Sequence, residues 1–212
     1  RFQVLRGTLL FLCSLLAFYG LKFLPVGEFT AMAMLSPLVV TILAGWFLKE
    51  HVRPLRWLLV AGGFVGTLVI VRPGGQFFGW SVCLPLGLVL TNSWFQVLTR
   101  QMARTEDAVS MNFYTGWIGA VLSSLMLPFF WEMPGSWTVW MELLLIGVTG
   151  TVGHLFLIMA FARAPAATLA PYMYAQIGFA VLGGWLVFSH VPDQWSLLGI
   201  FTVTLCGAAG AW

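Results

Sequence analysis

One stretch of this sequence occurs twice. FTAMAMLSPLVVTILAGWFLKEHVRPLR, at Phe29–Arg56, is an apolar run long enough to cross a bilayer, broken once by Ser36-Pro37 and stopped by a cluster of charges. A version of it returns at Ala166–Trp195 as AATLAPYMYAQIGFAVLGGWLVFSHVPDQW. Without gaps, Gly45-Trp46 and His51-Val52 fall on Gly184-Trp185 and His190-Val191. A repeat of this kind constrains the fold more than any single motif. It describes a chain built from two related membrane halves.

Composition names the solvent. Hydrophobic residues make up 60% of the chain and charged residues 8%, against about 25% charged in a soluble domain. The expected class is an all-α membrane protein. A membrane β-barrel would need alternation over segments of roughly ten residues, whereas the apolar runs here are continuous. The net charge of +3 is scattered in short clusters between those runs. That is a topology pattern, and it excludes a nucleic-acid-binding face. Cys13, Cys83 and Cys206 all lie inside apolar runs, so free thiols are expected.

Eight transmembrane spans fit a helix that needs about 20 apolar residues to cross. They are Gly7–Leu24, Phe29–Leu48, Leu55–Val71, Gly79–Leu98, Met111–Trp131, Trp137–Ala160, Ala166–Phe188 and Trp195–Trp212. With these spans, Arg1, Arg6, Lys49, Arg53, Arg56, Arg100, Arg104 and Arg163 share one side, while Lys22 and Arg72 take the other. The side richer in Lys and Arg is expected to be cytoplasmic. Five spans separate the two His-Val boxes, so the copies lie on opposite faces as an inverted repeat. The second half, 76–212, has five spans and the first, 1–75, has three. Both ends look cut, and two further spans before Arg1 would complete five plus five. Inverted repeats are frequent in secondary transporters, with the substrate near the midplane between halves.

LKFLPVGEFTAMAMLSPLVVTILAGWFLKEHVRPLRWLLVAGGFVGTLVIVRP resembles the first repeat of the EamA family of the drug/metabolite transporter superfamily. GHLFLIMAFARAPAATLAPYMYAQIGFAVLGGWLVFSHVPDQWSLLGIF resembles the second. The resemblance implies a ten-helix EamA transporter fold in a bacterial inner membrane, with both termini cytoplasmic. It also implies an acidic residue after the seventh span, where this chain has Ser189-His190; the matching position after the second span holds Glu50.

Candidate site residues are polar groups inside spans. His154 lies in GTVGHLFLIMAF, where a titratable group is costly and marks a cavity or a functional contact; the bland alternative is an imidazole bonded to a neighbouring helix. Pro171 removes a backbone donor early in the seventh span, and Tyr172 and Gln176 share a face four residues apart. Asn92 and Gln96 share a face of the fourth span, either lining a path or joining helices. Pro37 is the matching kink in the second span. Gly62-Gly63, Gly116, Gly119, Gly147, Gly150 and Gly153 read as points of close helix approach. Glu142 and the Lys49–Arg56 cluster read as interfacial, and His51, His154 and His190 fall at three different depths, so no metal site is expected.

The functional expectation is a secondary carrier for a small organic metabolite, working by alternating access with a proton as coupling ion. His154, Tyr172, Gln176, Asn92 and Gln96 would bind the solute, with the lipid bilayer as surroundings, no cofactor, and a homodimer left open. A non-transporting scaffold or decayed paralogue is the second class. An intramembrane enzyme on a lipid-linked group is the third, and it has no catalytic signature in its favour.

Overall fold

The computed structural model describes residues 1–24, 26–71, 80–176, 178, 179, 182, 186 and 194–209. Every regular element among them is helical. This follows from the solvent: without water, a spanning backbone must satisfy its own hydrogen bonds. The elements are α1 (Phe2–Phe23), α2 (Val26–Ala33), α3 (Ser36–Phe47) and α4 (Pro54–Val71). After a 3₁₀ turn at Trp80–Val82 come α5 (Cys83–Met102), α6 (Ala108–Phe130) and α7 (Trp137–Arg163). The short α8 (Ala166–Leu169) runs into a 3₁₀ turn at Ala170–Tyr174, and α9 covers Gln194–Ala209. Among the described residues, four helical stretches are long and apolar enough to cross a membrane alone, Phe2–Phe23, Trp80–Met102, α6 and α7.

Helix starts and stops are written in the sequence. Asp107 caps α6 by accepting from Ser110 N–H at 2.9 Å, and that hydrogen bond holds its carboxyl below the ordinary carboxylate range. Ser136 caps α7 through Val139 N–H. The expected second span is two helices, α2 and α3, parted at Met34-Leu35. Pro37 has no N–H to continue the α2 ladder, so Met34 N–H closes on Thr30 and Leu35 N–H on Met32. The seventh span tightens to 3₁₀ geometry at Ala170–Tyr174, around Pro171. In the gapless register of the repeat, Met34-Leu35 falls on Met173-Tyr174, so both copies leave α-helical geometry at matching positions. Ser189, His190, Gly184-Trp185 and the end of the seventh span lie outside the described residues.

Packing divides the chain into two flanks with α3 between them. On one side α9 lies along α4, and the Ala170–Tyr174 turn touches both. On the other, α1 packs on α5 and α6. α3 joins α5 to α8 and the 170–174 turn. The seam of α4 is made by two glycines: a Cβ on Gly62 would lie 2.8 Å from Cys206 Sγ, and one on Gly63 would lie 2.5 Å from the Tyr174 ring. Tyr174 is fully buried there and donates to the Val60 carbonyl at 3.0 Å. The other expected glycine contacts fail. Among the described residues nothing lies within 4 Å of a Cβ placed on Gly116, Gly119, Gly147, Gly150 or Gly153. Those glycines lie on faces of α6 and α7 that no other described residue covers.

Gly63→Ala is therefore expected to lower the thermal midpoint of the detergent-purified protein, by an overpacking cost of about 1–3 kcal/mol. Gly147→Ala is expected to leave it unchanged. Equal responses would remove the close approach of α4 and Tyr174 as the reason for Gly63.

Candidate functional site

The best-packed region lies at one end of the bundle. Val40 and Ala44 of α3, Met102 and Ala103 at the end of α5, and Met111 at the start of α6 meet there. Ile158 and Phe161 of α7 and Ala166 and Ala167 of α8 complete the apolar plug. Beside it, Lys49 takes a left-handed conformation with φ 52, and Glu50 N–H folds back onto the Ala44 carbonyl. This turn brings the Glu50 side chain to its partners. Glu50 Oε1 accepts from Arg100 Nε at 3.0 Å, with the two side chains only 13% and 12% exposed. Its Oε2 accepts from Ala167 N–H at 3.3 Å, at the start of α8. Arg100 Nη1 donates in turn to the Phe161 carbonyl in the last turn of α7. One ion pair thus ties together the ends of α3, α5, α7 and α8.

A second charge lies deeper. Arg6 belongs to the first turns of α1 and is fully buried. Its Nη2 donates to the Met111 carbonyl and to Thr115 Oγ1, and its Nη1 approaches Thr99 Oγ1 at 3.4 Å. The guanidinium stands 5.5 Å from the centre of the buried Phe95 ring. Phe95 in turn meets His154 edge-on, ring centres 5.8 Å apart. Arg6, Phe95 and His154 therefore form a row from α1 through α5 to α7.

Among the described residues, several polar side-chain atoms of this interior have no protein hydrogen-bond partner. They are Arg6 Nε, Gln96 Oε1, Ser36 Oγ and His154 Nδ1. Gln96 and Ser36 are almost wholly enclosed, and Ser93 Oγ lies 3.5 Å from the Ser36 carbonyl. Buried polar groups are nearly always satisfied by protein or water.

The expected site residues are placed as follows. Gln96 is buried on α5 and Asn92 is half-buried one turn before it. His154 is half-buried on α7 beside Phe95. Gln176 Nε2 donates to Met34 Sδ at 3.4 Å, bridging the seventh span to the α2–α3 break. Tyr172 is 45% exposed, and Tyr174 takes the buried position instead. A 3₁₀ turn advances 120° per residue rather than 100°, which changes the face that an α-helical spacing assigns. Glu142 is exposed.

Sequence reasoning placed Arg6 among the flanking topology charges and Glu50 in an interfacial cluster. The structure corrects the first, because α1 begins at Phe2 and carries Arg6 inside the bundle. It corrects the second, because Glu50 turns inward. The available signal for Glu50 was a single carboxylate among basic neighbours. For Arg6 it was the apolar residues Phe2, Val4 and Leu5 ahead of the charge.

The pattern of the EamA-like transporter family matches residues 2–72 and 79–210. The S-adenosylmethionine uptake transporter of Rickettsia conorii is 30% identical over 93% of this chain and 67% of its own length. The riboflavin transporter of Vibrio cholerae is 29% identical over 85% of this chain and 61% of its own. The pseudopaline exporter CntI of Pseudomonas aeruginosa is 30% identical over 96% and 72%. The chain thus spans about two thirds of the length of these curated relatives. A crystal structure at 17% sequence identity superposes with a TM-score of 0.82 over 97% of this chain and 74% of that one, a likeness of fold.

Glu50→Gln is expected to lower the thermal midpoint, and Arg100→Gln likewise. The double variant should lose less than the sum, with a coupling of about 1–3 kcal/mol in the cycle. Strictly additive losses would show that the pair carries no energy of its own.

Proposed function

The chain belongs to the EamA-like transporter family, and we propose that it is a secondary carrier moving a small organic metabolite across a bacterial inner membrane by alternating access. Transport of a small molecule follows from the family and from relatives named as metabolite transporters. Those names include uptake and export, so they leave direction open. The observation that carries the reading is the polar side chains held inside apolar helices, Ser36 on α3, Gln96 on α5 and His154 on α7. A scaffold would gain nothing from them, whereas a carrier needs donors and acceptors left free for its cargo.

In this proposal His154, Gln96 and Asn92 line the solute site, and Gln176 and Tyr172 close it from the seventh span. The two inverted halves, 1–75 and 76–212, rock about it. The apolar plug and the Glu50–Arg100 junction hold one end shut, and that end must open for the opposite state. The end rich in Lys and Arg faces the cytoplasm. His154 is the candidate proton carrier, since imidazole is the side chain that titrates near neutral pH. The broken helices, interrupted at matching positions of the repeat, suit a midplane site.

The test uses the complete gene product in a host lacking it. Metabolites inside cells and in the medium are compared by untargeted mass spectrometry, with and without a protonophore. An unmodified compound redistributed in a protonophore-sensitive manner is the expected result. A chemically altered product would point to an enzyme, and no redistribution from folded protein would leave a scaffold. His154→Ala is expected to cut redistribution at least tenfold at unchanged membrane abundance; full transport in that variant would remove His154 from the site.

A further inference from the structure

We propose that Arg6 is the counter-charge for a carboxylate on the transported solute, with the Phe95 ring and His154 completing the subsite. The proposal rests on the carrier reading and narrows it to solutes that bear an anionic group.

The argument starts from an unbalanced charge. Arg6 is fully buried, and its recorded partners are two threonine hydroxyls and one carbonyl, all neutral. Among the described residues no carboxylate is in ion-pair contact with it. Glu106, whose field reaches it, is engaged by Gln3 Nε2. A buried charge is ordinarily paired with an opposite charge. Among the described residues no side chain supplies that charge, and Arg6 Nε has no protein acceptor.

The surroundings suit a solute more than a structural staple. A guanidinium matches a carboxylate with parallel N–H groups, and its flat face lies along an aromatic ring. Phe95 supplies the ring at 5.5 Å, and beyond it His154 Nδ1 is enclosed and unpartnered. Gln96 Oε1, next along α5, is also unpartnered. The guanidinium, an apolar ring and the His154 imidazole therefore lie in one row. The guanidinium is shut in by α1, α5 and α6 in this conformation. The solute meets it when the seam between α1 and α6 opens, as alternating access requires.

The test has two arms, both on the complete protein in a glycoside detergent without phospholipid. In the first, thermal midpoints are measured with benzoate, phenylacetate and glutarate, each against its uncharged amide, and with a short-chain phosphatidylglycerol. The carboxylates are expected to raise the midpoint of the unaltered protein and the amides are not. The half-saturating carboxylate concentration should rise at least tenfold in Arg6→Gln and less in Arg6→Lys. Should the Arg6 variants not fold, Phe95→Leu, which keeps the charge, should weaken the response several-fold. Carboxylates and amides acting alike, no response to either, or a response indifferent to both Arg6 and Phe95 would overturn the proposal. So would stabilisation by phosphatidylglycerol alone, which marks a lipid headgroup contact. The second arm is the metabolite comparison. A redistributed compound with no anionic group would leave the carrier standing and remove the role of Arg6. No redistribution, alongside Arg6-dependent carboxylate binding, would do the reverse.

Discussion

The structure depends on how charge is handled where there is no water. In the bilayer interior every polar group must be satisfied by the protein or by what it binds. The chain meets this demand at one end of its bundle, where Glu50 and Arg100 pair and each also engages backbone groups of the second half. Removing two charges from water costs several kcal/mol per ion, repaid only when the remaining donors and acceptors are also used. Both are used here: Glu50 takes Ala167 N–H and Arg100 reaches the Phe161 carbonyl. The pair also keeps some exposure, which lowers the cost of breaking it. A junction of that kind can hold an end shut and still let go.

The backbone breaks follow from the same constraint. A continuous helix leaves no free main-chain polar groups at the midplane. α2 and α3 part at Met34-Leu35, and the seventh span narrows to 3₁₀ at Ala170–Tyr174. Gln176 and Met34 meet across these interruptions. Irregular backbone is tolerated at membrane depth only where protein or a cavity covers it. These stretches are thus held in the interior, close to the enclosed Ser36 and Ser93.

Much of the fold was legible because hydropathy and helix length are tied by bilayer thickness. The expected spans at Leu55–Val71 and Trp137–Ala160 match α4 and α7 within about three residues. What was not legible depends on contact rather than pattern. Gly63 and Gly147 look alike in sequence, yet one faces the Tyr174 ring and the other faces no neighbour among the described residues. Tyr174 is buried and Tyr172 exposed within a local 3₁₀ turn, which no spacing rule announces. Arg6 was hidden by its position at the start of an apolar run, where a cation usually anchors topology. Only the packing of α6 across α1 shows that it is enclosed. The polar cluster on α5 was visible as Asn92 and Gln96, but not its missing partners.

A buried Arg6 also answers how a carrier could release what it holds. Its three contacts to neutral oxygens are charge-assisted hydrogen bonds of about 1.5–3 kcal/mol each, enough to offset a desolvation cost of several kcal/mol and keep the empty site folded. An anion enclosed with it once the seam has closed meets an effective dielectric near ~20, where an ion pair at ~4 Å is worth about 4 kcal/mol. The same pair in contact with water is worth about 1 kcal/mol. The direct attraction is thus roughly 3 kcal/mol weaker in contact with water, before the anion's own desolvation is counted. Arg6 lies between the Met111 carbonyl and Thr99, beside the plug to which Met111 belongs. Parting that end would wet the guanidinium in the same movement that frees the path. Tight holding and ready release then need no separate device, because the motion that opens the gate also weakens the bond.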